Sequence, residues 1–422
     1  MELWRQAARS WRFGLFLAAI ALSLVRSRDQ PSIDIGVGGT TVSIVPADLA
    51  LAALAVVAAA TLARDGVPRA ARMTFASAAA FLTLVLVTAA VNGTAAFVAA
   101  GKLALLAALG LGALALVHTR PHVEAIVDLL LLFTIAADVV AIVEFVRGGG
   151  GRQASFLGEH DFAALATLPA VYGVALLFVG RARTRAWIAI VAGGVGVILG
   201  AALASLLGLY VGAAAILAVA AWRRRLALRP VVATLAVLAA VTAGTLTLRS
   251  GDLGFLQSWF GKPPEKPGQY AASWSQRLIY VYVGGRLFLD RPVLGSGWWP
   301  NLPPREFTRY LDDARQRFPD QPPRYFPRPD RDFVPQQTFD QILYELGVVG
   351  AAAFVALMAA LAERAVAAAR AERERVAYLP AAWLAAAAGA LAGEGLFGGT
   401  PLAAVFWLTT GVVAAVPLLA DA

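Results

Sequence analysis

Twelve apolar runs separated by short, arginine-bearing connections constrain this chain more than any other feature. They lie at 12–25, 47–63, 73–91, 95–117, 123–146, 161–179, 185–200, 204–221, 230–248, 341–362, 377–393 and 398–419. Most approach the roughly 17–25 residues that a helix needs to cross a bilayer. The runs at 185–200 and 204–221 are joined near Ala201–Leu203, and a single helix through both would be far too long for one crossing. Only 15 % of the residues are charged and 59 % are hydrophobic, whereas a soluble chain carries roughly a quarter charged residues. The fold class is an all-α polytopic membrane protein of about twelve spans. Phe13 to Val25 follows Arg5, Arg9 and Arg12, yet Ser27-Arg28-Asp29-Gln30 after it is no small-x-small cleavage pattern. It reads as an uncleaved first span. There is no cysteine, so no loop is tied by a disulfide.

The net charge of +9 points to nucleic acid only if its placement is ignored. Arginines crowd one set of short connections: Arg64, Arg69, Arg72; Arg120; Arg181, Arg183, Arg185; Arg223, Arg224, Arg225, Arg229; and Arg364, Arg370, Arg373, Arg375. The short loops on the other side hold only Arg26, Arg28, Arg147 and Arg152. By the positive-inside rule both termini are cytoplasmic. The long connection is then extracytoplasmic, which divides the chain into spans 1–9 (residues 1–248), an outer loop (249–339) and spans 10–12 (340–422). A loop of that length is uncommon unless it is folded or functional. It is rich in proline (Pro263, Pro264, Pro267, Pro322, Pro323, Pro327, Pro329) and contains two helical patterns, Trp274 to Asp290 and Arg305 to Phe318. The first is apolar enough to lie against a membrane surface.

Ionisable residues at membrane depth are expensive and are functional candidates by default. Most converge on the outer side: Lys102 in span 4, Glu144 in span 5, Glu159, His160 and Asp161 opening span 6, Gln336 to Glu345 opening span 10, and Glu394 between spans 11 and 12. Arg152, Arg277, Arg286 and Arg291 join them. Asp128 and Asp138 lie deeper, in span 5. Guanidinium groups bind phosphate oxygens bidentately, and acids or amides can orient a sugar hydroxyl. An outer cluster of this kind suits the head group of a lipid-linked sugar phosphate. Structural readings stand beside it. Lys102 also suits snorkelling, Arg147 and Arg152 interfacial anchoring, and His160-Asp161 a helix cap. Asp330-Arg331-Asp332 is a bare DxD pattern, and Gly36 to Gly39 lacks the helix and Lys of a P-loop. His118, His122 and His160 are too scattered for zinc, so neither metal nor cofactor is expected.

Three segments resemble the O-antigen ligase and polymerase superfamily. "QRLIYVYVGGRLFLDRPVLGSGWW" (276–299) resembles its R-x-x-x-W-x-x-A…P-x-x-G-x-G segment through Arg277, Pro292, Gly295 and Gly297. "QQTFDQILYELGVVG" (336–350) resembles H-N-x-x-L-Q-x-x-x-E-x-G-x-x-G through Gln341, Glu345, Gly347 and Gly350. "RQASFLGEHDFAA" (152–164) resembles R-x-x-G-T-F-x-x-P-N-x-x-A, with Arg152 and Asp161 at its Arg and Asn positions. The resemblance implies a multispan (GT-C-like) glycosyltransferase that moves a glycan from undecaprenyl diphosphate to a glycan or glycolipid acceptor in the bacterial inner membrane. It implies arginines on the diphosphate and a His that activates or orients the acceptor hydroxyl. Here Gln336 and Gln337 stand at the His and Asn positions, and the Ser-Arg pair of span 8 reads Ser205-Leu206.

The expectation is therefore a metal-independent glycosyltransferase, ligase or polymerase. Arg152, Arg277, Arg286 and Lys102 would bind the diphosphate. His160, Asp161 and Gln336 would be catalytic, and Gln337, Gln341, Glu345, Glu159 and Glu394 would orient sugars. Two other classes share the composition. A transporter or flippase of lipid-linked oligosaccharide would use polar groups near the midplane, for which only Asp128 and Asp138 speak. A glycosyltransferase using a polyprenyl-monophosphate sugar would rely on Asp29 and Asp34 in the first outer loop.

Overall fold

The computed structural model describes residues 5, 9–148, 150–180, 182–249, 273–299, 301–371 and 377–419. The first part of the long connection, with Pro263, Pro264 and Pro267, lies outside these, as do Arg181, Arg373 and Arg375. Among the described residues 76 % are helical. Apolar helices overlap all twelve runs: α1 (Trp11–Ser23), α2 (Pro46–Asp65), α3 (Arg72–Val91), α4 (Thr94–Leu116), α5 (Arg120–Gly148), α6 (Glu159–Val179), α7 (Arg183–Gly200), α8 (Leu203–Trp222) and α9 (Leu228–Leu248), then α13 (Thr338–Arg370), α14 (Leu379–Ala390) and α15 (Pro401–Ala415). Ten of them are long and apolar enough to cross a membrane, and α1 and α14 are shorter. The protein is a polytopic membrane protein.

Helices α6 and α15 form the centre of the bundle, each about nine-tenths buried, while α2, α3 and α9 lie at its edge. No hydrophobic drive separates helix from lipid, so close backbone packing carries association. Gly208 of α8 and Gly389 of α14 show this: a Cβ on either would meet the other helix's backbone within 2.6 Å.

Successive helices reverse direction, and their ends meet on one side. Arg26, after α1, reaches Asp161 at the start of α6. The amide of Gln153 donates to Leu199 at the end of α7, and Thr338, opening α13, donates to Leu391 after α14. We call this side the loop face, because the segment 273–337 sits on it. That segment contains α10 (Ser273–Asp290), α11 (Pro304–Phe307) and α12 (Leu311–Arg317). Ile279, Val283 and Leu287 of α10 recur at helical spacing and pack on Leu302, Phe307, Leu311, Phe326, Phe333 and Tyr344. One apolar stripe of α10 is thus covered within this cluster, while Leu278 and Leu289 stay exposed on the helix. The second helical pattern, 305–318, is broken by a 3-10 turn at Thr308–Tyr310.

The sequence reading also missed a hairpin. Strand β1 (Ile33–Val37) pairs antiparallel with β2 (Thr40–Ile44), with Ile33 opposite Ile44 and Val37 opposite Thr40. Gly38 and Gly39 both have positive φ, the requirement of a two-residue hairpin loop.

Candidate functional site

Two glycine-bearing segments build the floor of the loop face. Helix α13 is broken at Gly347, whose φ of 62° and ψ of −161° are non-helical and belong almost solely to glycine. A break leaves N–H and C=O groups without helical partners. Residues 292–297 supply them. Val348 and Val349 donate to the carbonyls of Pro292 and Val293, while Ser296 and Gly297 donate to those of Tyr344 and Glu345. Added Cβ atoms at Gly295 or Gly347 would run into the opposite backbone. Asn92 of α3 fastens the same segment by donating to Ser296 and Trp298 carbonyls, both at 3.2 Å.

The connection 391–400, between α14 and α15, is held from all sides. Arg277 of α10 donates to the carbonyls of Ala392 at 3.1 Å and Gly393 at 2.9 Å. The Thr338 hydroxyl donates to the Glu394 carbonyl at 2.9 Å. Gln341 accepts from the Leu396 amide at 2.7 Å, and its Nε2 donates to Glu345 at 3.2 Å. Asp161 accepts from the Leu402 amide at 2.8 Å, which satisfies one open donor at the start of α15. Its other oxygen accepts from Arg26 Nη2 at 2.9 Å.

Above this floor is a cavity of about 330 Å³ lined by Arg152, His160, Arg249, Gln276, Arg277 and Gln336, with Leu203, Ala204, Leu207 and Ala392 as its apolar wall. Arg152 pairs with Glu159 at 2.7 Å. Arg249 donates to the Ala201 carbonyl, in the α7–α8 turn, at 2.8 Å. His160 Nε2 lies 3.5 Å from Arg277 Nη2. Because guanidinium only donates, Nε2 is the acceptor and the ring proton is assigned to Nδ1; Nδ1 is buried without a partner. Burial lowers the Arg277 pKa, and Arg249 and Arg152 lower it further. Glu394, in the 391–400 connection, is pushed up to about 8, first by burial and then by Asp161, against the pull of Arg26 and Arg277. Three guanidinium groups, one of them paired with Glu159, face one space, an arrangement that suits an anion with several oxygens.

Residues 188–355 match the family model of the O-antigen ligase, Wzy_C. The match covers less than half of the chain and supports its likeness to the O-antigen ligase and polymerase superfamily. The match runs from α7 through the first half of α13, so it takes in Arg249, Gln276, Arg277 and Gln336 but not Arg152 or His160. No curated protein matches the chain.

Within this O-antigen ligase-like chain the candidate residues fall into three groups. Arg152, His160, Arg277 and Gln336 share the cavity wall, and Glu159 is bound to it through Arg152. Asp161, Gln341 and Glu345 are almost wholly buried, at 1 %, 0 % and 0 % exposure. Gln341 holds Leu396, Glu345 holds Gln341, and Asp161 holds Leu402 and Arg26, so burial favours positioning roles over the sugar-orienting role expected for Gln341 and Glu345 and the catalytic role expected for Asp161. Gln337 precedes α13, half-buried, and Glu394 lies in the 391–400 connection, its carbonyl held by Thr338. Arg286 and Lys102 are elsewhere. Arg286 pairs with Asp313 at 3.1 Å. Lys102 is taken up by Asp48 at 3.0 Å and the Ser43 carbonyl at 2.7 Å, tying β2 to the bundle. Two wall residues had been missed. Arg249 follows α9 and looks like an interfacial anchor; Gln276 directly precedes Arg277, and that adjacency was the available signal. Among the described residues no group of three or more His, Asp or Glu could hold a metal ion.

Proposed function

We propose that the protein transfers a glycan from an undecaprenyl-diphosphate-linked donor to a glycan or glycolipid acceptor at the extracytoplasmic face of the bacterial inner membrane. The observation that carries this is the meeting of Arg152, Arg249 and Arg277 in one cavity beside His160, in a chain whose residues 188–355 match the O-antigen ligase family model. The three guanidiniums bind the diphosphate and stabilise the charge that grows on it as the glycosidic C–O bond breaks. The acceptor oxygen forms the new bond to the anomeric carbon. Its proton passes to His160 Nε2, the imidazole nearest the cations. Gln336 and Gln276, neutral amides with both donors and acceptors, orient sugar hydroxyls, with Gln337 beside them. The proposed parts 1–248, 249–339 and 340–422 meet here: Arg249 stands at one junction and Gln336 at the other.

Asp128 lends little to a transport reading. Asp128 is bound to Arg185 at 2.6 Å, and the same arginine reaches Glu124. A structural clamp between α5 and α7 explains it.

The test is transfer from a purified diphosphate-linked donor. Arg277→Ala should lower the rate at least about 100-fold, the scale of losing one charge-stabilising donor. Arg286→Ala should stay within a few-fold. Normal transfer by Arg277→Ala sinks the diphosphate assignment. Equal use of a polyprenyl monophosphate donor would favour the monophosphate class instead.

A further inference from the structure

A second cavity, of about 300 Å³, opens on the face opposite the site, between α1 and α2. Trp11, Arg12 and Arg64 line one end; Val56, Val57, Ala60 and Thr61 line the rest. Helix α2 explains the shape. It turns Leu51, Leu54, Ala58 and Thr61 into the bundle, which leaves Val56 70 % exposed on the other side. The Ser10 hydroxyl caps α1 by accepting from Phe13, so Trp11 and Arg12 are fixed in its first turn, with the Arg12 guanidinium 5.7 Å from the Trp11 ring centre. Arg64 binds Asp65 through two of its nitrogens, at 2.8 and 3.0 Å.

We infer that this slot binds the phosphodiester head and the upper acyl chain of an anionic phospholipid. Its polarity runs in the order a phospholipid presents. The guanidiniums lie at the helix ends, and the apolar wall continues from Arg64 back to Val56, about 12 Å along α2 at 1.5 Å per residue. Arg12, Arg64 and Asp65 together carry one positive charge in excess, the complement of one phosphodiester. A free phosphate would leave the apolar length of the slot unused. An indole at the rim suits the head-group level of a bilayer, and basic residues near an anionic surface add attraction that salt screens.

The experiment uses the full-length protein in detergent. Its melting temperature is followed during titration with dihexanoyl phosphatidylglycerol, dihexanoyl phosphatidylcholine, glycerophosphoglycerol and inorganic phosphate. Phosphatidylglycerol alone should protect, less so at high salt, and its apparent affinity should fall at least tenfold in the Arg12→Gln/Arg64→Gln protein. Ala60→Trp, at an exposed position, fills the apolar slot while keeping both arginines and the core, and it should lose protection as well. Equal protection by phosphatidylcholine overturns the anionic assignment. Protection by phosphate or glycerophosphoglycerol overturns the lipid. Undiminished phosphatidylglycerol binding in Ala60→Trp overturns the location, and no protection by phosphatidylglycerol overturns the site.

Discussion

Gln336 sits on the cavity wall with its amide donating to the nearby Val334 carbonyl at 3.3 Å. An amide cannot take up a proton near neutral pH, so the proton-accepting role, if it exists in this chain, falls to His160 across the cavity. The two substitutions should therefore differ in kind. Gln336→Ala should raise the acceptor KM several-fold with little change in kcat. His160→Ala should lower kcat by about 100-fold or more, the usual contribution of a general base. Steady-state kinetics with varied acceptor separates them, and an unchanged kcat in His160→Ala removes the base. Glu394 makes a second residue-scale prediction. Its ordinary value of 4.5 rises to about 8 in the fold. Between these values the folded protein holds a proton that the unfolded chain has released, so the stability from this group is full below 4.5 and is lost as pH rises toward 8. Glu394→Gln fixes the neutral form. It should melt with the parent at pH 4.5 and above it at pH 8, and parallel melting curves across that range would refute the shift. Residue identity was only partly legible in the sequence. Arg152 and Arg277 stood out because motifs flank them. Gln341 and Glu345 looked like a polar wall at a helix entry. They are instead buried: Gln341 accepts from Leu396 in a loop far along the chain and donates to Glu345, and no local pattern announces a partner 55 residues away.

At the scale of elements, the two glycine segments act as one joint. Gly295 and Gly347 were matched as separate motifs, yet each leaves room for the other's backbone, and the break in α13 is bonded to residues 292–297. Gly347→Ala should cost about 2 kcal/mol or more, from its glycine-only backbone conformation and the overlap with Val293. It should show as a lower melting temperature together with lost transfer; wild-type melting would refute the joint. Helix α8 offers a complementary test. It gives leucines, Leu203 and Leu207, to the cavity, and the third guanidinium comes from Arg249 after α9. If the cavity needs the charge and not its origin, Arg249→Leu should lose transfer and Arg249→Leu/Leu207→Arg should recover a measurable part. A double variant as inactive as the single one would tie Arg249 to its bond with Ala201 instead. The helices themselves were legible because apolar length is a strong signal. The hairpin was not. Its alternation is only five residues long in each strand and lies among spans that dominate the reading.

At the scale of the molecule, topology decides where the chemistry can occur. The helix ends that carry Arg26, Gln153, Asp161, Thr338 and Gly399 bond to one another, so the site, the hairpin and the 273–337 segment share one side of the bundle. The arginine-rich connections lie on the other. The proposed function takes the orientation of the positive-inside rule, with the cavity outside, where a polyprenyl diphosphate can reach it and nucleotide sugars cannot. The absence of cysteine makes this directly measurable, because any single cysteine is the only thiol in the chain. Asp312 is on the loop face, 88 % exposed at its side chain, and Ala70 is exposed in the opposite turn between α2 and α3. In intact cells, a membrane-impermeant maleimide should label Asp312→Cys and leave Ala70→Cys unlabelled until the membrane is opened. The reverse pattern would place the three arginines in the cytoplasm and remove the lipid-linked donor as their ligand. Labelling of both in intact cells would mean that the two faces are not separated by a bilayer and would overturn the proposed topology.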